Sequence, residues 1–348
     1  MIESLPPAAQ DDVLPLWDRV DGEVRSDATT EATLAEWGRA LSAVPDQPEF
    51  HLRLVEAGET DESQRAIWRA VDSVVGEGDE VLLDITHGFR HLPVLTAFMV
   101  MLLRWTKRVR GVDLYYGALE MRRENEAGVP VLRLPLCNEL LAVTEAAATY
   151  RTTGDVALLA DRSPLDDHTR TLIRQITFCE ETHQFVSGKV REALAALRQA
   201  DLPPPYDAAR PLLHEALAWG EGVHLVARLQ QRMDAAFRYR DYFKATGLLW
   251  EAVRIAAARL YPDLKTRDPA DYQVREEAER RLKEGKPEIL APGEHELLRD
   301  IEDLRNAVMH GTRPQRACSQ RALGSEEEFR NFFEQGRELL AKLAHRAA

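Results

Sequence analysis

The hydrophobic periodicity of the chain changes near residue 137, and this change limits the folds it can adopt. Before that point, strand-like apolar runs alternate with helical patterns, as in "FHLRLVEA", "SQRAIWRAVDSVV", "EVLLDIT", "VDLYYGALEM" and "VPVLRLPL". After residue 139, apolar residues recur at three- and four-residue spacing, as in "VREALAALRQA" and "ATGLLWEAVRIAAARL". We therefore expect an α/β domain with a largely parallel sheet over residues 1–139 and an all-α remainder.

A proline run divides the helical remainder. The three prolines of "DLPPPYD", residues 201–207, cannot continue a helix. We place a helical connector over residues 140–205 and a separate helical domain over residues 206–348. The total of 348 residues suits this division, because a single hydrophobic core rarely serves so long a chain.

Charge and cysteine content narrow the functional classes. Lys plus Arg total 45 against 58 Asp plus Glu, for a net charge of -13, which argues against nucleic-acid binding over the whole surface. Any nucleic-acid site must therefore be a local basic pocket. The three cysteines are far apart and lack C-x-x-C spacing, so neither a zinc site nor a disulfide framework is indicated. We also expect no other metal and no cofactor.

The apolar segments predict a protein without a membrane partner. The longest apolar run, "LPVLTAFMVMLL" at residues 92–103, is too short to span a bilayer and is interpreted as a buried helix. The N-terminus lacks a basic region followed by an apolar one, so no secretory signal is expected. These observations predict a cytoplasmic protein.

The stretch "VLLDITHGFRHLP", residues 81–93, combines a predicted central strand with a polar turn. Ligands of parallel sheets bind beyond the carboxyl ends of the strands, where Thr86, His87, Gly88 and Arg90 fall. Gly88 permits positive φ or close approach of a ligand, and Arg90 is placed to hold phosphate. The pattern suits a phosphorylated, nucleotide-like ligand. The alternative is an ordinary strand-to-helix turn with solvated His87 and Arg90.

A second polar group lies in "IEDLRNAVMHGTRPQR". Gly311 and Pro314 predict that the helix ends at about His310. Its predicted buried face consists of Leu297, Ile301, Leu304 and Val308. Arg305 and His310 are thus expected on one well-anchored element.

Arg305 and His310 do not share a face of that helix. Five positions separate their directions by about 140° on an ideal helix, so convergence requires a bent helix end or, more simply, a second copy of the chain. The segment from Arg305 to Gly324 lacks acidic residues, and Arg313 and Arg316 add positive charge. We interpret this as the local basic surface that RNA would need.

An arginine and a histidine suffice to cleave RNA through its own 2′-hydroxyl without a metal, leaving a 2′,3′-cyclic phosphate. Arg305 would stabilise the developing charge and His310 would transfer protons. The alternative is that both residues only cap the end of the helix.

Together the two stretches resemble a known family. "DITHGFRHLP", with "YYGALE" further along, resembles the sensor of the CRISPR-associated ribonucleases that join a CRISPR-associated Rossmann fold (CARF) domain to a HEPN domain. "RNAVMH" is similar to the HEPN signature of an arginine followed after four to six residues by a histidine. The order of the motifs matches that architecture, from about residue 49 to the C-terminus.

The resemblance implies a type III CRISPR ancillary effector that acts in antiviral defence. A cyclic oligoadenylate would bind across a homodimer and activate cleavage of single-stranded RNA. By analogy, the ligand site comprises Thr86, His87, Gly88 and Arg90. The catalytic site would comprise Arg305 and His310, with Asn306 supporting.

One part of the family pattern has no counterpart. Such sensors open with a buried strand, whereas residues 1–48 are acidic and poor in strand-forming residues. We therefore expect the Rossmann-like domain to lack its first strand.

Two other functions stay open. The chain could be a catalytically inactive regulatory module that binds the cyclic messenger. Alternatively, its α/β domain could itself be a ring nuclease that degrades the messenger.

Overall fold

The computed structural model describes residues 7–86, 88–122, 128–182, 184, 186–285 and 289–347. The backbone divides into two compact units, Met1–Leu141 and Ala142–Ala348. The chain is mostly helical, with one small mixed sheet in the first unit. This agrees with a small α/β part followed by a helical part.

The elements of the first unit are helices α1 (Pro7–Arg25), α2 (Glu31–Ser42), α3 (Asp61–Val74) and α4 (His91–Thr106), with strands β1 (Glu80–Asp84), β2 (Gly111–Gly117) and β3 (Val131–Arg133). A short 3-10 helix covers Leu119–Met121, and α5 (Pro135–Thr153) contains the division between the units. Thr60 starts α3 through a capping box with Ser63.

The sheet has the order β1-β2-β3 and is mixed rather than largely parallel. β1 runs parallel to β2, with Val81 opposite Val112, and β3 runs antiparallel to β2. Val81 and Leu83 face a small core with α3 and α4, whereas Leu82 points away and is 70% exposed. Within the described strands, β1 is thus an edge strand covered on one face.

Two further predictions for this unit are wrong. Residues 50–57, expected as a strand, form none; the Leu54 amide donates instead to the Glu31 carboxylate at 2.9 Å. Helix α4, predicted to be buried, has one exposed apolar face, with Phe98 65% and Trp105 62% exposed. In the described sheet, β1 has one neighbouring strand and one covered face, whereas the apolar pattern suggested a strand buried on both faces.

The second unit is helical throughout its described residues. Its α-helices after α5 are α6 (Ala157–Arg162), α7 (Asp167–Glu181), α8 (Ser187–Gln199), α9 (Tyr206–Leu217), α10 (Leu225–Arg238), α11 (Tyr242–Ala258), α12 (Pro262–Lys265), α13 (Tyr272–Glu284), α14 (Pro292–His310), α15 (Ala317–Ala322) and α16 (Glu326–Ala347). A 3-10 helix covers Ala218–Glu221.

The described residues of this unit form two hydrophobic cores. One gathers buried residues from Val143 to Trp219, and the other gathers buried residues from Val226 to Leu343. The proline run at 203–205 lies between α8 and α9, which both contribute to the first core. The second core surrounds α11, whose residues are almost all buried, and it positions α14.

Across the described part of the chain, the helices are either too short or too polar to cross a bilayer.

Candidate functional site

The polar turn after β1 is held by Thr86. Its hydroxyl accepts a hydrogen bond from the Gly117 amide at 2.6 Å and donates to the Asp84 carboxylate. The Thr86 amide donates to the same Asp84 oxygen at 2.8 Å. Thr86 therefore ties the carboxyl ends of the two parallel strands together, a structural function that needs no ligand.

The rest of the turn leads directly into α4. Gly88 has a φ of +107°, which confirms the predicted need for glycine. Arg90 is exposed and immediately precedes α4, as expected. His91 stacks on Phe89, and its Nε2 lies 2.8 Å from the Ala57 carbonyl. His87, the remaining predicted ligand residue, lies outside the described residues.

Thr86→Val should loosen this end of the sheet, because valine keeps the shape of threonine but cannot accept the Gly117 hydrogen bond. We expect a local loss of about 1 kcal/mol, which corresponds to roughly fivefold faster exchange of the Gly117 amide. Hydrogen exchange read by mass spectrometry on the β2 peptide measures this. Thr86→Ser retains the hydroxyl and should exchange at the wild-type rate. Unchanged exchange in both variants would contradict the proposed tie.

The second group of predicted residues lies at the end of α14. The helix ends at His310, and Gly311 follows in the left-handed region with a φ of +62°, as predicted. The Gly311 and Thr312 amides both donate to the Ala307 carbonyl. His310 is therefore the exposed last residue of a helix whose regular structure continues to its end.

Arg305 is half-buried and borders a pocket of about 360 Å³. Its Nη1 donates to Asn306 Oδ1 at 2.9 Å, so Asn306 directly holds the guanidinium. We call this cavity the Arg305 pocket; it is lined by Leu229, Phe243, Gly247, Leu248, Glu251, Arg275, Arg305 and Met309. His310 does not line it, so a single chain does not gather Arg305 and His310 in this pocket.

An ion network includes two residues of the pocket lining, Glu251 and Arg275. It joins α11, α13 and α14 and consists of Glu251, Arg254, Arg275, Glu279, Lys283 and Glu302. Arg254, whose side chain is 7% exposed, contacts Glu251 at 3.1 Å and Glu279 at 2.9 Å. Burial alone would lower the pKa of Lys283, but hydrogen bonds to Glu279 and Glu302 outweigh burial and raise that pKa. This network fixes α14 against α11 and α13.

The loop after α14 is clamped onto the helix. The Asp303 carboxylate accepts from the backbone amides of Gln315 at 3.0 Å and Arg316 at 2.9 Å. Burial would raise the pKa of Asp303, but these hydrogen bonds lower it. The Arg316 guanidinium bonds to Asp300 and Glu296, which raises its pKa.

The two predicted RNA contacts therefore differ. Arg313 is exposed on the clamped loop. Arg316 is occupied by two carboxylates of α14, so part of the positive surplus seen in the sequence is neutralised within the chain. RNA contact by either residue stays a prediction.

Sequence reasoning missed most of the Arg305 pocket. Phe243 and Arg275 belong to no recognisable motif and come from helices remote in sequence. One usable signal was present: Glu251 and Arg254 interrupt the otherwise apolar pattern of "LLWEAVRIAA", and buried charges need partners.

Comparison with family models gave no match for this chain. A segment of 50 residues is 44% identical to the CRISPR-associated protein MJ1674 of Methanocaldococcus jannaschii. This segment makes up 14% of the chain and 8% of that protein, so the chain spans less than a tenth of the length of the relative it matches.

Proposed function

We propose that this chain is a CRISPR-related endoribonuclease that cleaves single-stranded RNA without a metal and is activated by a cyclic oligoadenylate. The observation that carries the proposal is the end of α14, where Arg305 borders a pocket and His310 is exposed. The 44% identity over 50 residues to a CRISPR-associated protein supports a CRISPR-related role. The resemblance of "DITHGFRHLP" and "RNAVMH" to CARF and HEPN motifs supports the finer assignment.

The chemistry needs only the RNA and two side chains. His310 removes the proton of the 2′-hydroxyl, and the 2′-oxygen attacks the adjacent phosphorus. The bond from phosphorus to the 5′-oxygen breaks, and that oxygen takes a proton from the protonated imidazole of His310. Arg305 stabilises the charge on the phosphoryl oxygens. The products are a 2′,3′-cyclic phosphate and a 5′-hydroxyl.

A homodimer would complete this site. Because α14 is regular up to His310, the bent helix end considered above is not observed, and the two side chains diverge by about 140°. Convergence of Arg305 from one copy with His310 from the other is the arrangement that we propose.

The first unit would provide regulation. In the proposal, the cyclic oligoadenylate contacts the turn of Thr86, His87, Gly88 and Arg90. A messenger can shift the equilibrium toward the active arrangement only if it binds that arrangement more tightly than the inactive one. A binding site shared by two copies would supply this difference in affinity.

The test is cleavage of a fluorescent single-stranded RNA in EDTA, without messenger and with cyclic tri-, tetra- and hexa-adenylate in turn. We expect cleavage that one ring size stimulates and that the Arg305→Ala/His310→Ala double variant lacks. Absence of cleavage under all conditions would overturn the nuclease and favour an inactive binding module. Degradation of the ring by the double variant would identify a ring nuclease in the first unit.

A further inference from the structure

The Arg305 pocket has the features of a small-molecule site beside the proposed reacting phosphate. We propose that it binds the nucleobase adjacent to the scissile phosphate and prefers a base with an exocyclic amino group, such as cytosine, over uracil. This inference rests on the proposed function. The Arg305 pocket has a volume of about 360 Å³, near the lower end of the roughly 300–1,000 Å³ typical of ligand pockets. This size suits one base rather than a length of strand.

One wall of the pocket can stack on a base. Phe243 lines the cavity near the start of α11, and 50% of its surface is exposed. Leu248 and Met309 add apolar surface. Unpaired RNA bases are commonly held against aromatic rings, and such stacking is sequence-tolerant. Phe243 therefore supplies affinity, and base selection must come from the polar wall.

The polar wall offers an acceptor that two arginines hold in place. Glu251 lines the pocket, and its two oxygens accept from Arg254 at 3.1 Å and from Arg275 at 2.7 Å. Each carboxylate oxygen can accept more than one hydrogen bond. The Glu251 carboxylate is thus oriented by two arginines and retains capacity for an amino group, and carboxylates accept from the N4 amino group of cytosine.

Uracil fits this wall less well. It carries a carbonyl oxygen where cytosine carries the amino group, and that oxygen would face the Glu251 carboxylate. Two acceptors opposed in a partly buried site repel each other, and the uracil oxygen gains no hydrogen bond from the carboxylate, which is costly. The pocket therefore discriminates by the amino group.

The position of the pocket links base binding to cleavage. Arg305 borders the cavity, and Met309 lies one helical turn further along α14. A base held there places its own phosphate next to the guanidinium. A second copy of the chain could occupy the Arg305 pocket instead of a base, and the experiment below distinguishes these two occupants.

The substrates are two pairs of fluorescent oligothymidylates, each with a single ribonucleotide. In the first pair, that ribonucleotide is cytidine or uridine. In the second pair, the ribonucleotide is fixed and the base that follows it is cytosine or uracil. With the activating ring present, we expect cytosine at one of these positions to be cleaved about tenfold faster than uracil. Phe243→Ala should slow cleavage of the cytosine substrate by about tenfold. Glu251→Gln should bring the two rates close together, because an amide accepts and donates.

Phe178→Ala is the matched control, since Phe178 is 60% exposed on α7 and does not line the pocket. It should cleave at the wild-type rate. Equal rates for cytosine and uracil, with no effect of Phe243→Ala, would overturn the base subsite and leave the nuclease intact.

Binding of fully deoxy versions of these oligonucleotides separates the two proposals. Binding that prefers cytosine and requires Phe243, in a protein that cleaves nothing, would support the subsite and refute the nuclease. Absence of such binding would overturn the subsite. Light scattering on Phe243→Ala tests the competing occupant. Conversion of a dimer to a monomer would show that Phe243 itself packs against the second copy, which would overturn the base subsite.

Discussion

His310→Ala is expected to lower the rate of RNA cleavage by about 10²–10⁴-fold, the usual contribution of a general acid–base side chain. His310 is the exposed last residue of α14, so its removal leaves the helix and its Gly311 cap in place. The measurement is the single-turnover rate on single-stranded RNA in EDTA. Circular dichroism should show an unchanged helical content.

His295→Ala is the matched control because His295 lies on the same helix, about 22 Å from His310 at the usual rise per residue. It should leave the rate unchanged. Arg305→Ala should lose about 10²–10³-fold, and Arg305→Lys should recover part of that loss because it keeps the charge without the planar donors. Wild-type activity in His310→Ala would refute the assignment of this histidine.

Arg254→Ala should cost about 3 kcal/mol of folding free energy, the largest stability effect that we expect in the second unit. Its side chain is 7% exposed and lies between Glu251 and Glu279. Removing it leaves two partly buried carboxylates with one cation each, Arg275 and Lys283. Because each carboxylate keeps one cation, we expect the loss of folding free energy to lie at the lower end of the range for a broken buried ion pair.

Urea unfolding followed by helical circular dichroism measures this loss. Arg280→Ala is the control: Arg280 pairs with Glu277 and Glu284 in solvent, and such pairs contribute little. Equal stability of the two variants would show that the ion network does not hold α11, α13 and α14 together.

The end of α14 was predictable because its signals are local. Gly311 has the positive φ that stops a helix, and Ile301 and Leu304 are buried as their spacing predicted. Leu297 and Val308, predicted on the same face, are only partly buried. Backbone strain and helical periodicity act over a few residues, so a single sequence reveals them.

The surroundings of β1 were less predictable. A run of apolar residues such as Val81 to Leu83 indicates a strand but does not reveal how many neighbours it has. Leu82 is exposed because β1 is an edge strand in the described sheet, a property set by the pairing of distant segments. Strand pairing depends on tertiary context, which the pattern does not contain.

The Arg305 pocket could not be predicted for a related reason. Its lining comes from four helices, and only the Arg305 segment carries a motif. Likewise, the sequence showed positive charge around Arg316 but not the contacts with Asp300 and Glu296 that neutralise it. Both features depend on how helices pack rather than on spacing along one of them.

Within the described strands, the edge position of β1 bears on whether copies of this chain can pair through their sheets. The strand is five residues long and has Glu80 and Asp84 at its ends. If two copies paired antiparallel about Leu82, Glu80 of each would lie opposite Asp84 of the other; in-register parallel pairing would also oppose like charges. Like charges directly opposite destabilise a ladder, and charged residues commonly protect short edges. Charge repulsion therefore disfavours pairing of β1 with β1 of a second copy. A strand with basic residues opposite Glu80 and Asp84 would meet no such repulsion.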